Sequence, residues 1–322
     1  MGGGDIDPQV LPAALDDARI VTVMVELAGD PVAVVESRAP NRELTKAERD
    51  AIKAQLRAQQ DAITGGITAQ GGVVLAQLQS AYNGIKVQIG RSQVAALASL
   101  PNVVAIRGLA EHTIGNASSV PFIGVPSVWN DLGFTGSGIK VAVIDTGIDY
   151  THANFGGPGT PEVYDLADAN DLTIGDAGDA ASFGPTAPKV KGGHDFVGDA
   201  YNAASTDPAR RIPHPDPDPL DCFGHGSHVA GSVAGFGVLA TGTTFPGPYD
   251  ATTHSNDFNA GPGVAPLADL YALRVFGCAG STNVTVDAID WAVDNDMDVI
   301  NMSLGSTFGG ADDPSSVAAA NA

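Results

Sequence analysis

The run KVAVIDTGID, at residues 140–149, indicates the fold of the larger part of this chain. After its lysine come four apolar residues, as in a strand that is buried on both faces of a sheet. The run then reaches a carboxylate, Asp145, and a turn. Residues 270–275 and 298–304 are two further runs of this kind, and residues 284–295 have the apolar spacing of a helix. Such strands in alternation with helices predict an α/β fold with a doubly wound parallel sheet.

A second, smaller unit is predicted ahead of that sheet. Residues 20–27 are rich in β-branched side chains and predict a strand, and residues 45–62 are strong helix formers that begin with a capping box at Thr45. Residues 73–80 are predicted to extend this helical region, and residues 1–18 to form a flexible tail. The remaining short elements are strands at 85–89 and 103–106 and a helix at 92–99. Together they predict an α+β unit with helices on an antiparallel sheet.

The charge balance excludes several classes of protein. The 322 residues include 37 acidic and 16 basic ones, for a net charge of −21, and nearly all of the excess lies in residues 113–322. A surface this negative repels phosphate backbones, which excludes nucleic acid as a partner. No stretch has the roughly 18 consecutive apolar residues of a membrane span. Residues 1–20 also lack the pattern of a signal peptide, so either the protein is cytosolic or the chain begins inside a longer one.

Three polar positions are candidates for chemistry. Asp145 follows a buried parallel strand, where α/β folds place active sites, although it can also simply cap the next turn. His225 lies between two glycines at the start of a predicted helix over 226–236, where a carboxylate can orient one ring nitrogen and leave the other as a base. The alternatives are a core histidine, or a metal site with His228 that lacks a third ligand nearby. Residues 301–306 end a strand with small residues and can pair with an extended peptide.

These runs occur in a fixed order, VAVIDTGID at 141–149, GHGSHVAGS at 224–232, LYALRVFGCAGS at 270–281 and DVINMSLGS at 298–306. In this the chain resembles the subtilisin-like serine proteases, the subtilases or peptidase S8 family, over roughly residues 120–322. Residues 20–110 resemble the family's inhibitor I9-type propeptide, a folding chaperone.

The resemblance implies a flexible tail at 1–18 and a ferredoxin-like propeptide domain at 19–112. It further implies the first part of a subtilisin-like catalytic domain at 113–322, with a loop insertion at about 156–222.

The resemblance also implies roles for single residues. Asp145 corresponds to the triad aspartate that orients the histidine, and His225 to the general base that activates a serine hydroxyl. A polypeptide substrate is expected to lie as an added strand between two segments of the chain. The segments implied are Gly280 and Ser281 on one side and Ser303, Leu304 and Gly305 on the other.

The family's nucleophile is not found in these 322 residues. The family places its serine in a turn like GTSMA that opens a late helix, and the serines here lie in other contexts. We therefore expect the chain to be a fragment with an incomplete sheet, inactive as written, which keeps its own propeptide as a partner. The alternative is a catalytically dead homologue, or a propeptide-like protein that binds and inhibits a protease.

By the family's layout the loops of Cys222 and Cys278 are neighbours, which implies a disulfide and a secreted protein rather than two free thiols. No cofactor is required, and calcium is expected at most as a structural ion with unknown ligands. A family calcium ligand falls at Asn154, and the Asp-rich residues 165–179 fit no defined calcium loop. Propeptide cleavage is expected between 106 and 120.

Two rival interpretations fail on the residues. An aspartic protease is suggested by Asp145-Thr146-Gly147, but it needs a second such motif, and none exists in the sequence. A nucleotide-binding fold is suggested by the glycines at 136 and 138, but these precede the strand, whereas a phosphate-binding loop follows one.

Overall fold

The computed structural model of the chain describes residues 4–11, 19–38, 44–109, 113–114, 123–169, 181–306 and 309–322. It divides into two compact units. The amino-terminal unit consists of Met1–Ala110, Thr285–Asp296 and Ser306–Ala322, and the sheet unit consists of Glu111–Val284 and Met297–Gly305. Among the helices described, none combines the length and the apolar character needed to cross a bilayer.

In chain order the strands are β1 (Asp5–Ile6), β2 (Ile20–Leu27), β3 (Val73–Leu78), β4 (Gly84–Gly90), β5 (Val103–Gly108), β6 (Thr113–Ile114), β7 (Lys140–Asp145), β8 (Val190–Asp195), β9 (Val238–Leu239), β10 (Phe258–Ala260), β11 (Asp269–Arg274), β12 (Val299–Asn301) and β13 (Leu304–Gly305). The helices are α1 (Val32–Ser37), α2 (Lys46–Ala69), α3 (Val94–Leu97), α4 (Val125–Ser127), α5 (Pro161–Asp168), α6 (His225–Ala234), α7 (Thr285–Asp294) and α8 (Pro314–Asn321).

The amino-terminal unit is built on a five-stranded sheet in the order β1-β5-β2-β4-β3. Strand β2 is antiparallel to both of its neighbours, and β3 is antiparallel to β4. Together with α2 and α3 this is the predicted ferredoxin-like arrangement. Helix α2 buries Ile63 and Ile67, four residues apart on one face, in the core of the unit. Its predicted capping box at Thr45 is confirmed, with Glu48 as the reciprocal partner.

Two predictions for this unit differ from the structure. Residues 73–80 were expected to be helical, but Val73–Leu78 form β3, because α2 ends before Gly71 and Gly72 and the following β-branched residues pair with β4. Within the expected tail at 1–18, Asp5–Ile6 form β1 in parallel with β5, and the side chain of Val10 is buried. Apolar burial and one strand pairing thus give residues 5–10 a defined place.

The sheet unit has a four-stranded parallel sheet in the order β12-β7-β11-β8. Residues 141–144 of β7 are buried, as expected for a central parallel strand. Helix α6 buries Ala230 and Ala234 in the core of this unit. The segment 156–222, expected to consist of loops, contributes α5 and the edge strand β8, whose sequence VKGGHD has no apolar run to signal it.

One element of the predicted parallel sheet differs in the structure. The strand expected at 298–304 is divided into β12 and β13, which pair with different partners. Helix α7, predicted at 284–295, is present at Thr285–Asp294, and it lies with α8 in the amino-terminal unit. Side chains of α7 form an ion pair and backbone hydrogen bonds with residues 80–86 of the same unit.

Neighbouring glycines in α2 provide a test of this packing. Gly65 is exposed, and a Cβ there would meet nothing within 4 Å, whereas a Cβ on Gly66 would lie 2.7 Å from Leu100 Cδ2. Gly65→Ala is expected to raise the free energy of unfolding by about 1 kcal/mol, because alanine loses less backbone entropy in a helix. Urea denaturation followed by circular dichroism measures the change.

Gly66→Ala is the matched control, and it is expected to gain less or to lose stability because Leu100 must move. Equal gains in the two variants would contradict the described packing of α2.

Candidate active site

Asp145 and His225 meet at the carboxyl edge of the parallel sheet. Asp145 is the last residue of β7 and His225 the first of α6, and Nδ1 of the imidazole lies 2.8 Å from Oδ1 of the carboxylate. A carboxylate can only accept, so the proton of this bond lies on Nδ1. The backbone N–H of Thr146 donates to the same Oδ1 at 2.7 Å. Both side chains are buried, with 1% of Asp145 and 8% of His225 exposed.

The close approach of two backbones makes this contact possible. The ideal Cβ position on Gly226 lies 2.1 Å from the carbonyl oxygen of Gly147, so no larger residue fits beside the histidine. Gly147 itself has a φ of +103°, which L-residues with side chains rarely adopt. The N–H of Gly226 donates to Thr146 Oγ1 at 2.7 Å and ties the first turn of α6 to the end of β7.

Asp221 organises the loop that leads into α6, and sequence reasoning did not single it out. Its Oδ1 accepts the N–H groups of Phe223 and Gly224, each at 2.9 Å. Its Oδ2 accepts the N–H of Ser227 at 2.9 Å and its hydroxyl at 2.7 Å. Since Ser227 Oγ also accepts the N–H of Asp149, this hydroxyl serves the loop rather than chemistry. The only sequence signal was an aspartate ahead of a helix start, which is common.

Burial dominates the electrostatics of the carboxylates here. It raises the pKa of Asp145, and the hydrogen bonds from His225 and Thr146 oppose that rise. Burial likewise raises the pKa of Asp149, against the hydrogen bond from the Thr151 hydroxyl. The ionised form of Asp145 is therefore held mainly by the two donors that it binds, and one of these is the imidazole.

A disulfide joins Cys222 and Cys278, whose Cα atoms are 5.2 Å apart. It links the loop before His225 to the segment that precedes Gly280. Next to it lies Arg274, the last residue of β11, with 1% of its surface exposed. Sequence reasoning missed Arg274, although a charged residue at the end of an apolar strand was a visible signal.

Of the residues implied to bind substrate, Gly280 and Ser281 pack against residues 202–203. A Cβ on Gly280 would lie 2.3 Å from the Asn202 side chain. The N–H of Ser281 donates to Asn202 Oδ1 at 3.2 Å, and its carbonyl accepts the N–H of Ala203 at 2.9 Å. The backbone polar groups of Ser281 are thus already paired within the chain.

The second implied segment carries an added strand. Leu304 and Gly305 form β13, which pairs in antiparallel register with β6, Leu304 opposite Ile114 and Gly305 opposite Thr113. Ser303 precedes this strand and donates its hydroxyl to Asn301 Oδ1 at 3.1 Å. This edge can therefore accept an extended peptide, here one supplied by the chain itself.

Asn154, at the position of a family calcium ligand, is buried, and its Oδ1 accepts the N–H of Gly237 at 2.8 Å. Within the described residues, one group of three side chains has metal-ligand geometry, Asp199 with Cys222 and Cys278, and its sulfurs are joined in the disulfide. Residues 170–179 of the Asp-rich stretch, and most of the expected cleavage segment, lie outside the described residues.

Removing the Asp221 carboxylate tests its role in the loop. Asp221→Ala leaves four donors without their partner, and we expect the free energy of unfolding to fall by about 3 kcal/mol. Amide hydrogen exchange at Phe223, Gly224 and Ser227 is expected to accelerate. Asp207→Ala is the matched control, because this exposed aspartate accepts one N–H, from Ala209, and should cost less than about 1 kcal/mol. Equal losses in the two variants would refute the role.

The fold and the site together define a class, an α/β protein with a buried Asp–His pair at the carboxyl edge of a parallel sheet. Residues 136–322 match the model of the subtilase family, peptidase S8. The minor extracellular protease Vpr of Bacillus subtilis (strain 168) is 26% identical over 329 aligned residues, which cover 96% of this chain and 32% of that protein. Subtilisin E of the same strain is 31% identical over 203 residues, covering 60% of this chain and 34% of that protein.

The chain belongs to the subtilase family, since the family model matches more than half of it. It spans about a third of the length of Vpr and of subtilisin E. Among solved structures, the epidermin leader peptide processing serine protease of Staphylococcus aureus is similar with a TM-score of 0.48 and 14% identity, over 94% of this chain and 55% of that one.

Proposed function

We propose that this chain is part of a subtilisin-type serine endopeptidase. Asp145 and His225 are two members of its Asp–His–Ser triad, and the serine is not among the 322 residues. The observation that carries the proposal is the hydrogen bond of 2.8 Å between His225 Nδ1 and Asp145 Oδ1, within the region that matches the subtilase family.

In this function His225 is the general base. With Nδ1 bound to Asp145, the ring takes the proton of the serine hydroxyl at Nε2 as that oxygen attacks the peptide carbonyl. Asp145 holds the ring in this tautomer and stabilises the imidazolium without accepting the proton. The proton then passes to the leaving amine, and water releases the acyl-enzyme by the same route in reverse.

The substrate is a polypeptide that binds as an added strand. The pairing of β6 with β13 supports this, since residues 304–305 already accept an antiparallel segment there. Leu304 and Gly305 supply the backbone groups, and Gly280 faces the peptide from the other segment. The disulfide and the relative named as extracellular support a secreted protein.

Residues 19–112 act as the propeptide of this enzyme. The contacts of this segment with α7 support the role. Lys86 Nζ lies 2.6 Å from Asp287 Oδ2, with 2% and 14% of the two side chains exposed. The N–H groups of Ser80 and Ala81 donate to Asp290 Oδ1 at 2.8 and 2.6 Å. Such buried polar contacts hold α7 on the propeptide sheet.

Labelling with a fluorophosphonate, which reacts with activated serines, tests the proposed enzyme. We expect the full-length gene product to be labelled, its His225→Ala variant to remain unlabelled because the base is lost, and residues 1–322 alone to remain unlabelled. Asp145→Asn should label about a thousandfold more slowly or worse, because the ring loses its orienting acceptor. Circular dichroism checks that each variant folds.

Labelling of residues 1–322 would show that a nucleophile lies within them. A folded full-length product that is not labelled would favour a catalytically dead homologue or an inhibitor.

The pH dependence of stability tests the contact between Asp290 and the segment 80–81. Burial raises the pKa of Asp290 to about 7, so the folded chain binds this proton more tightly than the unfolded one. This contribution is favourable at low pH and is lost as the pH rises towards 7. Between pH 5 and 8 the parent chain is expected to lose about 2 kcal/mol more than Asp290→Asn, whose amide oxygen still accepts both N–H groups.

Urea midpoints at the two pH values measure the difference. Asp50→Asn is the control, since Asp50 is exposed and forms only a surface pair with Lys46. It should retain the full pH dependence of the parent. The same pH dependence in Asp290→Asn would show that Asp290 does not bind the proton.

A further inference from the structure

Arg274 is buried where its charge is costly. It ends β11 directly beside the end of β7, in register with Asp145, and 1% of its surface is exposed. Burying a guanidinium is unfavourable unless its donors are satisfied and its charge is compensated. A hydrophobic residue would continue the apolar pattern of the strand without this cost.

The donors of Arg274 reach separate segments at one edge of the sheet. Nε donates to the carbonyl oxygen of Phe276 at 3.2 Å, in the loop after β11. Nη1 faces Asp195 Oδ2, at the end of β8, as an ion pair of 3.1 Å. Nη2 donates to Asp199 Oδ1 at 2.5 Å and lies 3.0 Å from Cys222 Sγ. One planar group thus contacts the ends of two strands and the loop of the histidine.

The contact with Cys222 bears on the catalytic base. Cys222 is three residues ahead of His225, and its disulfide partner Cys278 donates its N–H to the carbonyl oxygen of Asp199 at 3.0 Å. Asp199 is therefore bound both to the guanidinium and to the segment of Cys278. The disulfide by itself ties the loop of His225 to a single neighbouring segment. Arg274 and Asp199 fasten that neighbour and the loop to the sheet.

The chemistry of arginine suits this task and that of lysine does not. A guanidinium presents five N–H donors in a rigid plane, so it can bind the carboxylates, the carbonyl and the sulfur at the same time. A lysine would keep the charge but offer one nitrogen, which cannot serve segments on different sides. Asp195 is buried beside Arg274 and compensates its positive charge. The property that distinguishes arginine from lysine here is therefore its planar geometry.

We propose that Arg274 is a positioning residue for His225, acting through Cys222 to hold the loop of the histidine at the distance and angle that Asp145 requires. It touches neither substrate nor reacting atoms. The role of His225 as base rests on the proposed function, but the positioning is a property of this chain and is measured without any protease activity.

The experiment observes the Nδ1 proton of His225 by NMR in the 322-residue chain labelled with ¹⁵N-histidine. A proton in a buried imidazole–carboxylate bond gives a low-field resonance, assigned here by its loss in Asp145→Asn. In Arg274→Lys, which keeps the charge, we expect the exchange of this proton with water to rise by about tenfold or more. The pair Arg274→Met with Asp195→Asn removes both charges together, and it is expected to show the same effect.

Lys189→Met is the matched control. Lys189 is another buried cation of the same unit, and it donates to the carbonyl oxygens of Pro266 and Ala268, at 2.7 and 2.8 Å. Its removal should leave the resonance and the exchange rate of the His225 proton unchanged, even if the chain loses stability. Circular dichroism and urea denaturation report the stability of each variant separately.

An unchanged resonance and exchange rate in folded Arg274→Lys overturns the proposal. An equal acceleration of exchange in Lys189→Met also overturns it, because the effect would then follow from the loss of any buried cation. If the double variant does not fold, Arg274→Lys decides alone. Failure of fluorophosphonate labelling in the full-length product would count against the protease and would leave this result untouched, so the two failures are distinguishable.

Discussion

The hydrogen bond between Asp145 and His225 depends on how closely α6 can approach the end of β7. At Gly226 the two backbones come so near that a Cβ would lie 2.1 Å from the carbonyl oxygen of Gly147. The carboxylate and the imidazole can then meet at 2.8 Å in a place from which water is largely excluded. A methyl group at Gly226 would push the helix away and lengthen that bond. Steric access at one backbone position thus controls the geometry of the site.

Several buried polar contacts support this approach from outside the pair. Asp221 satisfies the donors of the loop before α6, and Arg274 joins the strand ends to the disulfide of the same loop. Each is expensive to bury, and the contacts that it makes offset this cost. These contacts fix the position of the loop that carries the histidine at the edge of the sheet. Apolar packing alone would not fix the direction of that loop.

The amino-terminal unit shows a different use of buried charge. The aspartates of α7 bind a lysine and backbone N–H groups of the segment that resembles a propeptide, and burial raises the pKa of one of them to about 7. Such contacts favour one placement of α7. In any other placement a buried carboxylate would have neither water nor N–H donors as hydrogen-bond partners. They also make the stability of the unit sensitive to pH near neutrality, which an apolar contact would not do.

Local patterns in the sequence predicted the parallel sheet and the ferredoxin-like unit, and the family motifs predicted the pairing of Asp145 with His225. Apolar periodicity, the capping box at Thr45 and the ordered family motifs are local signals that are visible in the sequence without a structure. The remaining features depend on contacts between distant parts of the chain and are visible only in the tertiary structure. Strand β3 was missed because short apolar runs are compatible with both helix and strand. Strand β8 was missed because its two glycines interrupt the apolar pattern of a strand. Asp221, Arg274 and the aspartates of α7 were missed because their roles arise from partners distant in the chain, and no local pattern records which donors a folded chain will bring to a carboxylate.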